Sequence, residues 1–234
     1  MDLKNAKVLV TGGTSGIGYE TAKLLLAEGA VVAICGRDET RTAIAAQELG
    51  ATPIPCDVRS EADVCRMVKT VIDVFGSFNV VVNNAAYGIF GTLVEMPTDK
   101  FDDIWETNVR GAMLVGRESA KHFVEQQTGN IINISSTAGL NGFAGGTAYV
   151  ASKFALKGMT ECWRAELRPH NIRVMLVNPS EVQTNFVVNS GNAARPHSDS
   201  KLEAEEIAHT IISMLKMNNR GFITEATVFA TNPK

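Results

Sequence analysis

Tyr149 and Lys153 stand four residues apart in a stretch patterned as a helix, so their side chains share one face. A free phenol, with a pKa of about 10, exchanges its proton poorly near neutral pH. An ammonium one turn away favours the phenolate, and a tenfold gain in acidity corresponds to about 1.4 kcal/mol. The pair therefore predicts a phenol of depressed pKa that can give a proton to an oxygen or take one from it. Tyrosine and lysine at this spacing also occur by chance on helix surfaces, so the neighbours decide. Tyr149 is one of three tyrosines, and it follows a strand-like run ending Asn133-Ile134-Ser135-Ser136. A hydroxyl at the end of that run could donate to an oxygen on which charge develops.

A second chemistry is written in Thr11-Gly12-Gly13-Thr14-Ser15-Gly16-Ile17-Gly18, between an apolar run and a helix-patterned stretch. Glycines permit a tight turn and let backbone N–H groups approach a phosphate, at which the following helix points its positive end. The spacing is G-x-x-x-G-x-G rather than G-x-G-x-x-G. A plain turn is the competing reading, and the position after the first strand weighs against it. The second run ends Ile34-Cys35-Gly36-Arg37-Asp38. An acid there accepts bonds from adenosine ribose hydroxyls, whereas an arginine suits a 2′-phosphate. A guanidinium pairs bidentately with phosphate, and the absent carboxylate removes a repulsion. Arg37 therefore argues for NADP(H) over NAD(H), the alternative being a solvated turn residue. Asp38, its neighbour, counts the other way.

These groups need a frame. Short, near-continuously apolar runs at 8–10, 31–35, 53–56, 80–82, 131–134, 174–177 and 222–229 read as strands covered on both faces. Between them lie amphipathic stretches at 18–28, 61–75, 101–126, 149–167 and 203–216. The alternation predicts one domain over 1–234: a Rossmann-like, doubly wound parallel sheet of about seven strands with helices on both faces. Ligands of such sheets sit beyond the carboxyl ends of the strands. Residues 185–201, rich in Asn, Ser, Gly and Ala and carrying Arg195 and His197, break the rhythm and read as a lid over the substrate side or as a surface insertion. The acidic run Glu203-Ala204-Glu205-Glu206 reads as a first helical turn.

Composition excludes several classes. A net charge of −3 offers no basic field for nucleic acid or anionic membrane, and no apolar run approaches the ~20 residues of a membrane span. No signal-type apolar region follows the first residues. The four histidines and four cysteines lack metal-ligand spacing, so no metal is expected. The cysteines, Cys35, Cys56, Cys65 and Cys162, read as reduced and mostly buried, as in a cytoplasmic protein.

Thr11-Gly-x-x-x-Gly-Ile-Gly18, Asp57, Asn83-Asn84-Ala85-Ala86, Asn108, Ser136, Tyr149-x-x-x-Lys153 and Asn178-Pro179, in this order, resemble the short-chain dehydrogenase/reductase family along almost the whole chain. Its 3-oxoacyl-acyl-carrier-protein reductases look most similar. The resemblance implies a nicotinamide cofactor, hydride transfer between it and a carbonyl or secondary alcohol, and a homodimer or homotetramer. It maps cofactor contacts onto Gly12, Thr14, Ser15, Gly16, Ile17, Gly18, Arg37, Asn84, Ala85, Tyr149 and Lys153. Asp57 and Val58 would face the adenine, and Pro179, Val182 and Thr184 the carboxamide. Ser136, rather than Ser135, would hold the substrate oxygen, Tyr149 would exchange the proton, and Asn108 would hold a water joining Lys153 to solvent. Three positions depart from the pattern. Ser15 stands where many NADP-dependent relatives have a second base, Ala86 where glycine is usual, and Ser180 where Pro-Gly is usual. A 3-oxoacyl thioester is the first substrate to consider, followed by a pterin ketone, a steroid or a sugar. An NADP(H)-binding regulator without turnover is the reading from another class; the presence of all four reacting groups argues against it.

Overall fold

The computed structural model describes residues 1–191, 193 and 196–232. The first half of the chain alternates β1 (Lys7–Thr11), α1 (Gly16–Ala27), β2 (Val31–Gly36), α2 (Glu39–Leu49), β3 (Thr52–Pro55), α3 (Glu61–Phe75) and β4 (Val80–Asn83). Then come α4 (Thr98–Trp105), a π-helical turn (Glu106–Gly111), α5 (Ala112–Gln126), β5 (Gly129–Ile134), α6 (Thr147–Leu167) and β6 (Ile172–Pro179). Short β7 (Val182–Gln183), α7 (Phe186–Asn189) and β8 (Leu202–Glu203) precede α8 (Ala204–Lys216) and β9 (Glu225–Val228).

Seven strands make one sheet in the order β3-β2-β1-β4-β5-β6-β9, every neighbouring pair parallel. The strands are rich in valine and isoleucine because both faces are covered, and β4, β5 and β6 are buried at every residue. Alternation along each strand divides the core in two. Val8, Val10, Val32, Ile34, Val80, Val82, Ile132 and Met175 meet Leu25 of α1 and Ile207 and Ile211 of α8. Leu9, Ala33, Val81, Ile131 and Val174 face the other way, onto Val64, Met67 and Val71 of α3 and Leu114 and Phe123 of α5.

The strand order reverses at β1, whose neighbours are β2 and β4. Crossovers leave in opposite directions there, so a crevice opens past the carboxyl ends of β1 and β4. The helices behind it are well stopped. Asp38 accepts from Arg41 N at the start of α2, and Ser60 from Asp63 N at the start of α3. α8 begins with a capping box between Glu203 and Glu206, as its acidic first turn predicts.

Several boundaries differ from the sequence reading. The final strand is four residues, not eight: Glu225–Val228 are in register with β6, and just before them Thr224 O accepts from Leu176 N (3.1 Å). α2 was not singled out by pattern, since its buried face is Thr42, Ala45 and Ala46 rather than large apolar residues. The stretch 101–126 is two helices joined by a π turn containing Asn108, whose side chain bonds outside the helix. Of the cysteines, Cys35 and Cys56 are buried and Cys65 and Cys162 exposed, so the expectation of mostly buried thiols holds only for those on the sheet. The base of segment 185–201 is tied down: Gln183 Nε2 donates to Ser198 O (2.9 Å) and Ser198 N to Gln183 Oε1 (2.7 Å). Arg195 of the expected lid lies outside the described residues. No described helix is long and apolar enough to cross a membrane.

Candidate active site

A cleft of about 1210 Å³ runs along the carboxyl edge of the sheet. Its floor at the reversal point is backbone. Gly12 and Gly16 have φ of +63° and +56°, conformations that L side chains rarely adopt. A Cβ on Gly12 would come within 3.0 Å of Ala85 Cα, and one on Gly18 within 2.3 Å of Gly12 O. Asn84 Nδ2 holds the loop by donating to Thr11 O (3.0 Å) and Gly12 O (3.1 Å). Thr11 Oγ1 accepts from the N–H of Asn84 and of Ala85. α1 starts at Gly16 after an extended Ser15 whose side chain caps nothing, which leaves its first N–H groups open to the cleft. Bare backbone, positive φ and an open helix start form a cradle that fits a pyrophosphate.

Thr14, Ser15, Ile17, Arg37, Val58, Asn84, Ala85, Pro179, Val182 and Thr184 all line this cleft with Gly12 and Gly16. Gly18 lies behind the loop, where its lack of a side chain lets α1 close on β1. Asp57 does not line the cleft. Its carboxylate takes Arg59 through Nη2 (2.7 Å) and Nε (3.0 and 3.1 Å), which holds its pKa below the usual range. Arg59 and Arg41 stand on the wall beside Arg37, and sequence reasoning missed both. Their only early signal is that each follows an element ending at that edge. Gly36 also proves crowded, since a Cβ there would meet Thr42 Oγ1 at 2.7 Å and Thr14 Cγ2 at 2.8 Å. Ser180 has an ordinary negative φ, and its N–H donates to Val228 O (2.9 Å), so this backbone does not require glycine.

At the other end of the cleft Ser136, Tyr149 and Lys153 come together. Ser136 accepts from Ala138 N (3.1 Å), capping the turn Thr137–Gly139, and its hydroxyl lies on the Tyr149 side of the cleft, where it lowers the phenol's pKa. Ser135 points the other way, donating to Lys153 O (3.4 Å). Lys153 Nζ donates to Ile134 O (2.9 Å) and lies 5.7 Å from the centroid of the Tyr149 ring. Asn108 is buried outside the cleft wall. Its side chain clamps Tyr87, accepting from the N–H (3.1 Å) and donating to the C=O (2.9 Å), and also donates to Ser152 Oγ (3.0 Å).

The acidities correct one expectation. Burial pushes Tyr149 up to about 12, with the Ser136 hydroxyl pulling it back, and pushes Lys153 down to about 8. The sequence predicts a phenol made acidic by the ammonium. In the folded chain both groups are enclosed, and desolvation disfavours the charged form of each. His197, in the expected lid, faces Asp199 and Glu203 and lines an adjoining recess of about 260 Å³.

Residues 6–195 match the family model described as short chain dehydrogenase. An oxidoreductase of Staphylococcus epidermidis is 29% identical over 228 residues, covering 97% of each chain. Dehydrogenase/reductase SDR family member 7B of Bos taurus is 30% identical over 202 residues, 82% of this chain and 62% of that one. Among solved structures, an alcohol dehydrogenase of Thermococcus sibiricus complexed with 5-hydroxy-NADP superposes with TM-score 0.86 at 25% identity, covering 98% of this chain and 99% of that one. The 3-ketoacyl-(acyl-carrier-protein) reductase of Brucella melitensis, complexed with NADH, gives 0.89 at 26% identity over 99% and 100%. The chain is thus an oxidoreductase that belongs to the short-chain dehydrogenase family.

Proposed function

We propose that this chain is an NADP(H)-dependent carbonyl reductase, working in reverse as an alcohol dehydrogenase. The observation that carries the reading is that Ser136, Tyr149 and Lys153 line one end of the cleft whose other end is the glycine cradle. The nicotinamide dinucleotide, when bound, supplies or accepts hydride. Ser136 donates to the substrate oxygen and fixes it beside the phenol. Tyr149 delivers the proton to that oxygen. With its pKa at about 12, Tyr149 stays protonated through neutral pH, which suits it to be the donor in the reductive direction. Lys153, bonded to Ile134 O, carries the nearest replacement proton, and Asn108 positions the loop at Tyr87 that borders them.

The preference for NADPH rests on three arginines, Arg37, Arg41 and Arg59, around one end of the cleft. Gly36 supports it, because it puts no carboxylate where one would repel a 2′-phosphate. Asp38, which caps α2 by accepting from Arg41 N (2.8 Å), counts against the preference. Self-association as a homodimer or homotetramer belongs to the same proposal. The 3-oxoacyl thioester suggested by resemblance, and named for the Brucella structure, is one substrate of this class.

The test is Tyr149→Phe, assayed by NADPH consumption on a panel of ketones. Turnover should fall by about 10³-fold, in the range of a lost general acid, with NADPH affinity unchanged. Unchanged turnover would reject the mechanism. NADPH binding without turnover of any carbonyl by the unmutated protein would favour the regulator reading.

A further inference from the structure

Tyr149 is held between two phenyl rings. Phe90 meets it edge-on with centroids 5.6 Å apart, and Phe186 lies tilted at 5.4 Å. Phe143 adds a third ring, 6.2 Å from Phe90. All three line the cleft. Phe90 is 38% exposed and Phe143 51%, which leaves apolar ring surface facing the open space beside the reacting hydroxyl. Large exposed apolar side chains inside a concave wall mark a place where an apolar ligand gains by covering them.

The rings are held in place. They sit against bare backbone: a Cβ on Gly88 would lie 2.8 Å from Phe90 Cε2 and 2.9 Å from Phe186 Cζ, and one on Gly146 would lie 2.7 Å from Phe143 Cε2. The loops that carry them are bonded to one another. Gly91 N donates to Gly145 O (2.9 Å), and Gly88 N to Ser190 Oγ (3.2 Å). A wall fixed in this way loses less freedom when a ligand arrives.

Charge narrows the ligand further. Among the described residues, the cations lining the cleft are Arg37, Arg41, Arg59 and Lys153. The three arginines follow β2, lie in α2 and follow β3, at the far end of the sheet from Tyr149. Lys153 is buried and bonded to Ile134 O. Among the described residues the ring end offers an anionic substrate arm no cation but the buried Lys153, and a desolvated anion without a partner is costly.

We infer that the substrate of this site is an uncharged ketone, or its secondary alcohol, bearing an aryl or similarly flat apolar group that packs against Phe90, Phe143 and Phe186. The inference rests on the carbonyl-reduction reading above and names its substrate class. Aromatic groups prefer edge-to-face and offset contacts at centroid separations of roughly 4.5–7 Å. The spacings within this cluster fall in that range.

Steady-state kinetics with NADPH on acetophenone, butanone and acetoacetyl-coenzyme A test it, on the unmutated protein and on the Phe90→Ala, Phe143→Ala double variant. The kcat/KM for acetophenone should exceed that for either comparator by about tenfold or more, and the double variant should lose about tenfold of this preference, mainly through KM. Both phenylalanines are exposed, so the variant should fold. Equal or better use of acetoacetyl-coenzyme A, or an unchanged preference in the double variant, would overturn the inference. Calorimetry on Tyr149→Phe with NADPH separates it from the catalytic reading. Acetophenone binding that disappears when Phe90 and Phe143 are also truncated upholds the ring pocket even if no carbonyl is turned over. Turnover of butanone with no acetophenone binding sinks the pocket and leaves carbonyl reduction standing.

Discussion

The two ends of the cleft are made from different material. Past β1 and β2 the surface is backbone: two glycines at positive φ, a helix start without a side-chain cap, and an asparagine amide bonded to loop carbonyls. Around Tyr149 the surface is ring, contributed by segments near residues 90, 143 and 186. A backbone surface can adapt little, because its shape is fixed by φ/ψ and by contacts with other backbone. A ring surface changes with one side chain. The difference fits a division in which the invariant dinucleotide binds at the first end and the distinguishing substrate at the second.

Lys153 belongs to neither material, and its removal should have the largest effect on stability. Its amine is fully enclosed and titrates at about 8 instead of 10.5. Between those two values the unfolded chain holds a proton that the folded chain has shed. Wild-type stability from this group therefore rises with pH across that window, by roughly 3 kcal/mol. Lys153→Met lacks the titration. The stability of the variant minus that of the wild type, measured by denaturant unfolding, should be most favourable below about pH 8 and should shrink steadily toward pH 10.5. A pH-independent difference would show that the amine lies in a polar, hydrated place. It would then not belong with the enclosed Tyr149.

The next effect compares one glycine from each end. A Cβ on Gly18 would press on Gly12 O at 2.3 Å, which is backbone and cannot move without opening the loop. Gly18→Ala should cost roughly 2 kcal/mol in urea unfolding and weaken NADPH binding with it. The nearest atoms to a Cβ on Gly88 would be ring edges of Phe90 and Phe186 at 2.8–2.9 Å, side chains that can give by a fraction of an ångström where backbone cannot. Gly88→Ala should cost under about 1 kcal/mol and should shift substrate preference instead. Equal costs, or a cofactor defect in Gly88→Ala, would break the division between backbone and ring.

This division also explains what could be read in advance. The glycine spacing of residues 11–18 stands in one stretch of sequence, as do Tyr149 and Lys153, because each depends on a local turn or one helix face. The parallel sheet was legible because burial on both faces leaves continuous apolar runs. α2 was not, because a helix of modest length can pack on alanines and a threonine. The ring cluster was hidden because its members are over forty residues apart and meet only when three loops converge. Arg41 and Arg59 are nearer in sequence to Arg37, but they share a wall only because β2 and β3 are neighbours in the sheet. The acidity of Tyr149 was misjudged because charge neighbours are visible in a helical spacing, whereas depth of burial is not.

The smallest expected effect is at the surface of the backbone end. Arg37 is exposed, so its interaction with a 2′-phosphate is partly screened, and charge-assisted bonds of 1.5–3 kcal/mol are reduced toward the lower figure. Arg37→Ala should weaken NADPH about tenfold, leave NADH within about twofold, and flatten the salt dependence of NADPH binding. Arg59 should contribute less than Arg37, because its guanidinium already serves Asp57. Arg41 is free of that commitment in its side chain, its backbone N–H alone being used by Asp38. Fluorescence titration of both cofactors at two ionic strengths measures all three terms. If NADH affinity falls in step with NADPH, Arg37 must act through the shape of the loop after β2 and not through phosphate charge. That end of the cleft would then owe its selectivity to backbone alone.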